Sequence, residues 1–181
     1  MKYPDLSKEI IAMAEADQKM RKDSQSGKST FDKNIDENNS TRLKQILKEI
    51  NGWPTISSVG EEASYAAWLI AQHADHNVNF QEECLKLILK SNNDVLPANI
   101  AYLTDRVAVN RGRQQTYGTQ FYQNKKGEPT PRPIKDNKML DNKRKKMGLE
   151  PFTVYEQKMK GNYIWPKGYI NPKIGRFDKS P

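Results

Sequence analysis

The run Gln72-His73-Ala74-Asp75 places a titratable ring beside an amide and a carboxylate at the end of an apolar stretch. Histidine titrates close to neutral pH, so His73 is a candidate general acid or base. It follows Leu69 by four positions and Ile70 by three, which starts its ring on or near a core face of a helix. Asp75 is close enough to orient the imidazole, although helix neighbours two apart do not face each other. The plainer role is a helix-end histidine that satisfies carbonyls and complements the dipole. His76 precedes Asn77 and reads as an exposed loop residue.

Other polar residues also sit inside apolar segments. Burying such groups without partners costs about 1–3 kcal/mol each, so they either pair with one another or serve a ligand. Asp105 and Arg106 lie between Leu103 and Val107. They fit a structural ion-pair network, or a carboxylate orienting His73 and a guanidinium clamping an anion. Asp17, Gln18 and Arg21 share one stretch, with Asp17 and Arg21 at the four-residue spacing of an intrahelical pair. Gln115-Thr116-Tyr117-Gly118-Thr119-Gln120 offers two amides, a phenol, two hydroxyls and a glycine that permits close backbone approach. It could read a planar polar ligand, a sugar or a peptide backbone, or simply alternate between a helix surface and water. The catalytic candidates are therefore His73, Asp75 and Asp105. The substrate-binding candidates are Asp17, Gln18, Arg21, Arg106, Gln115, Tyr117, Thr119 and Gln120.

Missing motifs narrow the chemistry. There is no phosphate-binding glycine loop, GxGxxG, HExxH, paired CxxC or GxSxG. Two histidines and one cysteine argue against a His/Cys zinc site, so no cofactor and no metal are expected, although a carboxylate-rich site with His73 is chemically possible. Cys84 falls in the middle of an apolar helical run and reads as a small packed hydrophobe.

The elements that must position these residues follow from periodicity. Helices are expected over 4–22, from near Asp36 to Ile50, and over 61–73, 78–91 and 97–110. Leu43, Ile46, Leu47 and Ile50 keep one face, and Pro97 suits a first turn. The third helix is apolar on most sides and should be buried, with Trp53 anchored in the core just before it. After Gly112 the period changes. A small hairpin is expected over 115–135, held to an edge by its prolines. A charged surface helix should cover 137–147 and a short final helix 149–160. The fold class is mainly α: a compact bundle of about five core helices with a small C-terminal hairpin and an extended basic tail. One domain, 1–160, with a polar loop at 24–35, precedes a tail at 161–181.

The 181 residues suffice for one hydrophobic core, but apolar content is only 35%. The net charge of +8 is uneven. Residues 1–120 sum to −1 and residues 121–181 to +9. The basic third could bind nucleic acid through phosphates, although Lys143-Arg144-Lys145-Lys146 lacks interleaved aromatics for stacking. No span suits a membrane and no leader is evident, so a cytoplasmic protein is expected.

The blocks "AEADQKMR", "GWPTISSVGEEASYAAWLIAQHAD", "FQEECLKL", "AYLTDRVAVNRGRQQTYGTQF" and "PIKD…RKKMGLEPF" resemble a bacterial family of domains of unknown function, family 6624, from about Leu6 to Tyr155. The resemblance implies a helical domain and no established activity. It implies that Asp17, Gln18, Arg21, His73, Asp75, Asp105, Arg106, Gln115, Tyr117, Gly118, Thr119 and Gln120 form the family's signature. A signature so polar suggests side chains converging on one pocket. Three readings follow: a cofactor-independent hydrolase or group transferase for a small polar or anionic substrate, a non-catalytic peptide or small-ligand module, or a nucleic-acid-associated protein. Oligomeric state is left open.

Overall fold

The computed structural model describes residues 1–91 and 93–161; the expected tail beyond 161 lies outside the described residues. It is mainly helical. Eight described helices run in the order α1 (Pro4–Gln25), α2 (Lys33–Glu49), α3 (Ile56–Val59), α4 (Glu61–His73), α5 (Val78–Leu89), α6 (Pro97–Asn110), α7 (Leu140–Lys146) and α8 (Phe152–Met159). Two short strands, β1 (Phe121–Gln123) and β2 (Pro129–Pro131), pair antiparallel between α6 and α7.

The centre is α4. Ala63, Ala66, Ala67, Trp68, Leu69, Ile70 and Ala71 are all buried, so the helix is covered on every side. It packs against α1, α2, α3, α5 and α6. Its alanines leave room for neighbouring backbones, while Ile10, Leu43, Ile46, Phe80, Cys84, Ile88 and Leu103 fill the space around it. Trp53 is buried in this core as expected, just before a one-turn helix, α3, that the periodicity does not reveal.

Helices α1 and α2 each bring one acid to the end of α4. On α1 the buried positions are Ser7, Ile10, Ala14, Asp17 and Met20, a helical spacing that puts the Asp17 carboxylate on the inward face. Helix α2 begins three residues before the expected start, because the Asp32 side chain caps it by accepting from Asn34 N at 3.0 Å. Asp36 therefore lies inside the first turn, where its charge complements the helix dipole.

The hairpin is shorter than expected. In the first arm strand geometry holds only at Phe121–Gln123, and Gln115–Gln120 is a loop wrapped around Asp105. On the far side, prolines 129, 131 and 133 occupy alternate positions along β2 and its extension, while Arg132 N donates to Gln120 O at 2.9 Å. The basic helix also differs from the expected solvated surface element. Arg144 is 1% exposed; its Nε donates to Glu150 O at 2.7 Å and an Nη to Tyr117 O at 2.6 Å, beneath the ring of Tyr155. The cation at the centre of the basic run is thus spent fastening α7 to the loop.

Candidate functional site

The imidazole of His73 closes α4 and meets α1 and α2. Its Nδ1 lies 3.0 and 2.9 Å from the two oxygens of Asp17. Arg21, one turn after Asp17, places Nε 3.1 Å from Asp17 Oδ1, and its Nη2 donates to both oxygens of Asp36 at 2.8 Å. Gln18 Nε2 donates to Asp17 Oδ2 at 2.7 Å. The Phe31 ring lies over the guanidinium, 5.2 Å away. The Asp17 side chain is 1% exposed, Asp36 11%, His73 17% and Arg21 25%, so the acid at the bottom is sealed and the cation reaches it from the rim.

The donors fix the tautomer. A buried carboxylate beside Nδ1 requires a proton on that nitrogen. Arg21 Nε, 3.2 Å from Nδ1, is then a second donor to the same Asp17 oxygen, not a partner of the ring. Nε2 makes no hydrogen bond among the described residues, and the ring keeps some exposure. Burial alone would push the Asp17 carboxyl up. The His73 hydrogen bond and charge, the Arg21 charge and the Gln18 amide outweigh it and hold the group at about 2. Asp36 moves the other way. Burial and its approach to Asp17 raise it, against the pull of Arg21.

The acid that orients His73 is therefore Asp17, in place of the expected Asp75 or Asp105. Asp75 follows the last turn of α4 and faces α5 and α6. Its Oδ1 accepts from Asn110 Nδ2 at 2.8 Å and Gln81 Nε2 at 3.1 Å, and its Oδ2 lies 3.6 Å from Arg106 Nη1. Gln81 Nε2 also reaches the carbonyls of Ala71 and Gln72, both at 3.2 Å, and so closes the end of α4. On the same side, Trp68 Nε1, Gln72 Oε1 and Arg106 Nε are buried with no hydrogen-bond partner among the described residues. The ring of Trp68 meets that of Tyr102 edge to face at 6.0 Å.

Asp105 is fully buried and belongs to a third network. It accepts from the backbone N–H groups of Thr116, Tyr117 and Thr119 and from the Thr119 hydroxyl, at 2.7 to 3.1 Å. The Gln115 amide copies a strand partner: Nε2 donates to Gln120 O and Arg132 O, and Oε1 accepts from Gln120 N. Gln120 Nε2 donates to Thr119 Oγ1. The Tyr117 phenol stays outside this mesh; burial raises it. The adjacent positions 105 and 106 point about 100° apart on α6, which sends Asp105 to the loop and Arg106 to Asp75.

The expected single pocket is thus resolved into three networks. Asp17, Gln18, Arg21 and His73 come together; Asp75 and Arg106 form a second group; Asp105, Gln115, Tyr117, Thr119 and Gln120 form the third. Among the described residues, no hydrogen bond or ion pair joins the first network to the third. Clefts of about 490 and 350 Å³ lie elsewhere, one along Pro131, Ile134, Leu140 and Phe152, the other along Tyr3, Trp53 and Leu87. Asp36 escaped the sequence reading because it sits in a polar stretch with no apolar frame to mark it as inward. Gln81 was more visible, as an amide between Phe80 and Cys84 on a buried face. One oxygen each from Asp17 and Asp36 and a ring nitrogen of His73 lie within 4.8 Å of one another, a donor set that could hold a metal ion.

No described helix is long and apolar enough to cross a membrane. No curated protein and no solved structure matches the chain. A family model does match, from residue 4 to residue 165, across all three networks. The chain belongs to that family, the family of unknown function DUF6624.

Proposed function

We propose that Asp17 and His73 form the proton-transfer centre of a small enzyme, hydrolytic or group-transferring, that acts on a small polar or anionic substrate. The observation that carries this reading is the contact of His73 Nδ1 with a sealed, ionised carboxylate at 2.9 Å. That contact leaves the Nε2 lone pair unclaimed. As a base, Nε2 takes a proton from water or a substrate hydroxyl, and Asp17 stabilises the imidazolium that results. The proton then passes to the leaving group. Arg21 Nη1, which makes no hydrogen bond among the described residues, is the donor available for an anionic group. Asp105 and the Gln115–Gln120 loop act from a distance, as scaffold. The chain begins as a candidate enzyme here and the peptide-binding alternative weakens, because the loop's amides are already engaged with each other.

The test uses the full chain against small phosphate monoesters, carboxylic esters and amides, with His73→Asn and Asp17→Asn beside it. We expect His73→Asn to lower turnover at least 100-fold, the range usual for general acid–base catalysis. Nitrogen-15 NMR should show that the neutral form of the ring carries its proton on Nδ1. A ring protonated on Nε2 alone, or variants that turn over like the wild type, would end this reading.

A further inference from the structure

We propose that Asp17, Asp36 and His73 also form a binding site for one divalent transition-metal ion, and that the Arg21 guanidinium holds the ion's place when it is absent. The donors are a ring nitrogen and an oxygen from each of two carboxylates, all within 4.8 Å of one another. A metal with bonds of about 2.0–2.2 Å draws its ligands to roughly 3–3.5 Å apart, so closure takes side-chain movements of about an ångström. The three ligands come from three different helices, α1, α2 and α4, which packing already holds together.

The guanidinium is the second observation. A cation already sits at this point, bound to both oxygens of Asp36 and to Asp17. With a neutral imidazole, two carboxylates face one guanidinium, which leaves one negative charge in surplus. A divalent ion in its place balances the two carboxylates. Arg21 is on a long stem at the rim of the site, 25% exposed and against the face of Phe31, so it can leave without disturbing α1. One nitrogen and two oxygens suit zinc, cobalt or manganese better than calcium, which takes six to eight oxygens. The ion binds Nδ1 through its lone pair, so an occupied site and an Nδ1–H directed at Asp17 exclude each other.

This inference does not depend on proton transfer by His73. It is tested by titrating zinc and cobalt into the full chain by calorimetry and cobalt absorption, with Arg21→Ala, Arg21→Gln, Asp36→Asn and His73→Asn. Removing the built-in cation should tighten binding of one ion at least tenfold over the wild type, in both Arg21 variants. Asp36→Asn and His73→Asn, placed on the Arg21→Ala background, should weaken it at least tenfold. Circular dichroism establishes that each variant is folded, and two Arg21 replacements guard against one failing. Folded Arg21 variants that bind no tighter than the wild type, or binding indifferent to His73 and Asp36, overturn the site. The proton-transfer reading fails by a separate result, unchanged turnover of His73→Asn in chelator.

Discussion

The imidazole of His73 and the carboxylate of Asp17 are 56 positions apart in the chain and 2.9 Å apart in space. The contact ties the last residue of the central helix to the inward stripe of the first. Asp17 accepts from the ring, from Arg21 and from Gln18, and is closed to solvent. Such a group should register in stability as well as chemistry.

Asp17 is held at about 2, below its ordinary 3.8. A carboxyl lowered by folding stabilises the protein above its unfolded value, and the gain is lost as pH falls through the folded value. The shift corresponds to about 2 kcal/mol. Acid unfolding followed by circular dichroism should therefore steepen between about pH 4 and 2, and Asp17→Asn should flatten that limb. Asp36, which is raised, acts in the opposite sense and at higher pH: it adds stability as pH falls toward about 4, and Asp36→Asn should remove that gain.

Asp105→Asn should cost about 2–4 kcal/mol in urea unfolding, because an amide nitrogen would face backbone donors that now meet a carboxylate. Hydrogen exchange at Thr116, Tyr117 and Thr119 should rise together. Unchanged protection at those amides would show that the loop holds its shape without the charge.

Arg144→Met should release α7 from the Tyr117 carbonyl, and Arg144→Lys should not rescue it, since an ammonium cannot make both bonds in the plane the fork uses. We expect roughly 2–4 kcal/mol of destabilisation and faster proteolysis after residue 135. Lys145→Ala and Lys146→Ala, on the exposed side of the same run, should stay within about 0.5 kcal/mol of the wild type.

Gly118→Ala should be costlier than an ordinary loop substitution. The position has φ +68°, and an added Cβ would lie 2.8 Å from the Phe152 ring and 3.2 Å from Ile134. Strain and overpacking together predict at least about 2 kcal/mol, read from thermal unfolding. The double variant with Phe152→Leu should recover part of it.

Cys84 is fully buried, and burial pushes its thiol well above the ordinary range. A disulfide reagent should label it only at the rate of unfolding. Rapid labelling of folded protein would mean that α5 opens locally.

The five long helices were legible because their apolar residues recur at helical spacing: Leu43, Ile46 and Leu47 mark α2 as clearly as Ala66, Ile70 and Trp68 mark α4. The polar signal at His73 was legible for the same reason, since it continues an apolar stripe, whereas Asp17 and Arg21 showed only as a four-residue pair and through the family resemblance. Partnership was not legible. Asp17 and Asp105 are both acids on apolar stripes, and nothing local says that one meets a ring on α4 while the other gathers amides from a loop. Asp75 was the nearer choice in sequence, but the chain leaves helical geometry after His73 and carries it away toward Asn110. Arg144 shows the converse. Within four consecutive cations, composition cannot mark the one that turns inward; only the carbonyls of Tyr117 and Glu150 do so.

Proline at positions 129, 131 and 133 decides how this protein could grow by strand addition. Thr130 and Arg132 direct their amides toward the first strand, so every residue that would donate outward from the second is an imino acid with no hydrogen to offer. Pro133 O is already taken by Gln115 N, so an incoming β-segment would meet no donor at Pro129 or Pro131 and could not build a ladder there. The second strand is thus closed to ladder growth by its own sequence.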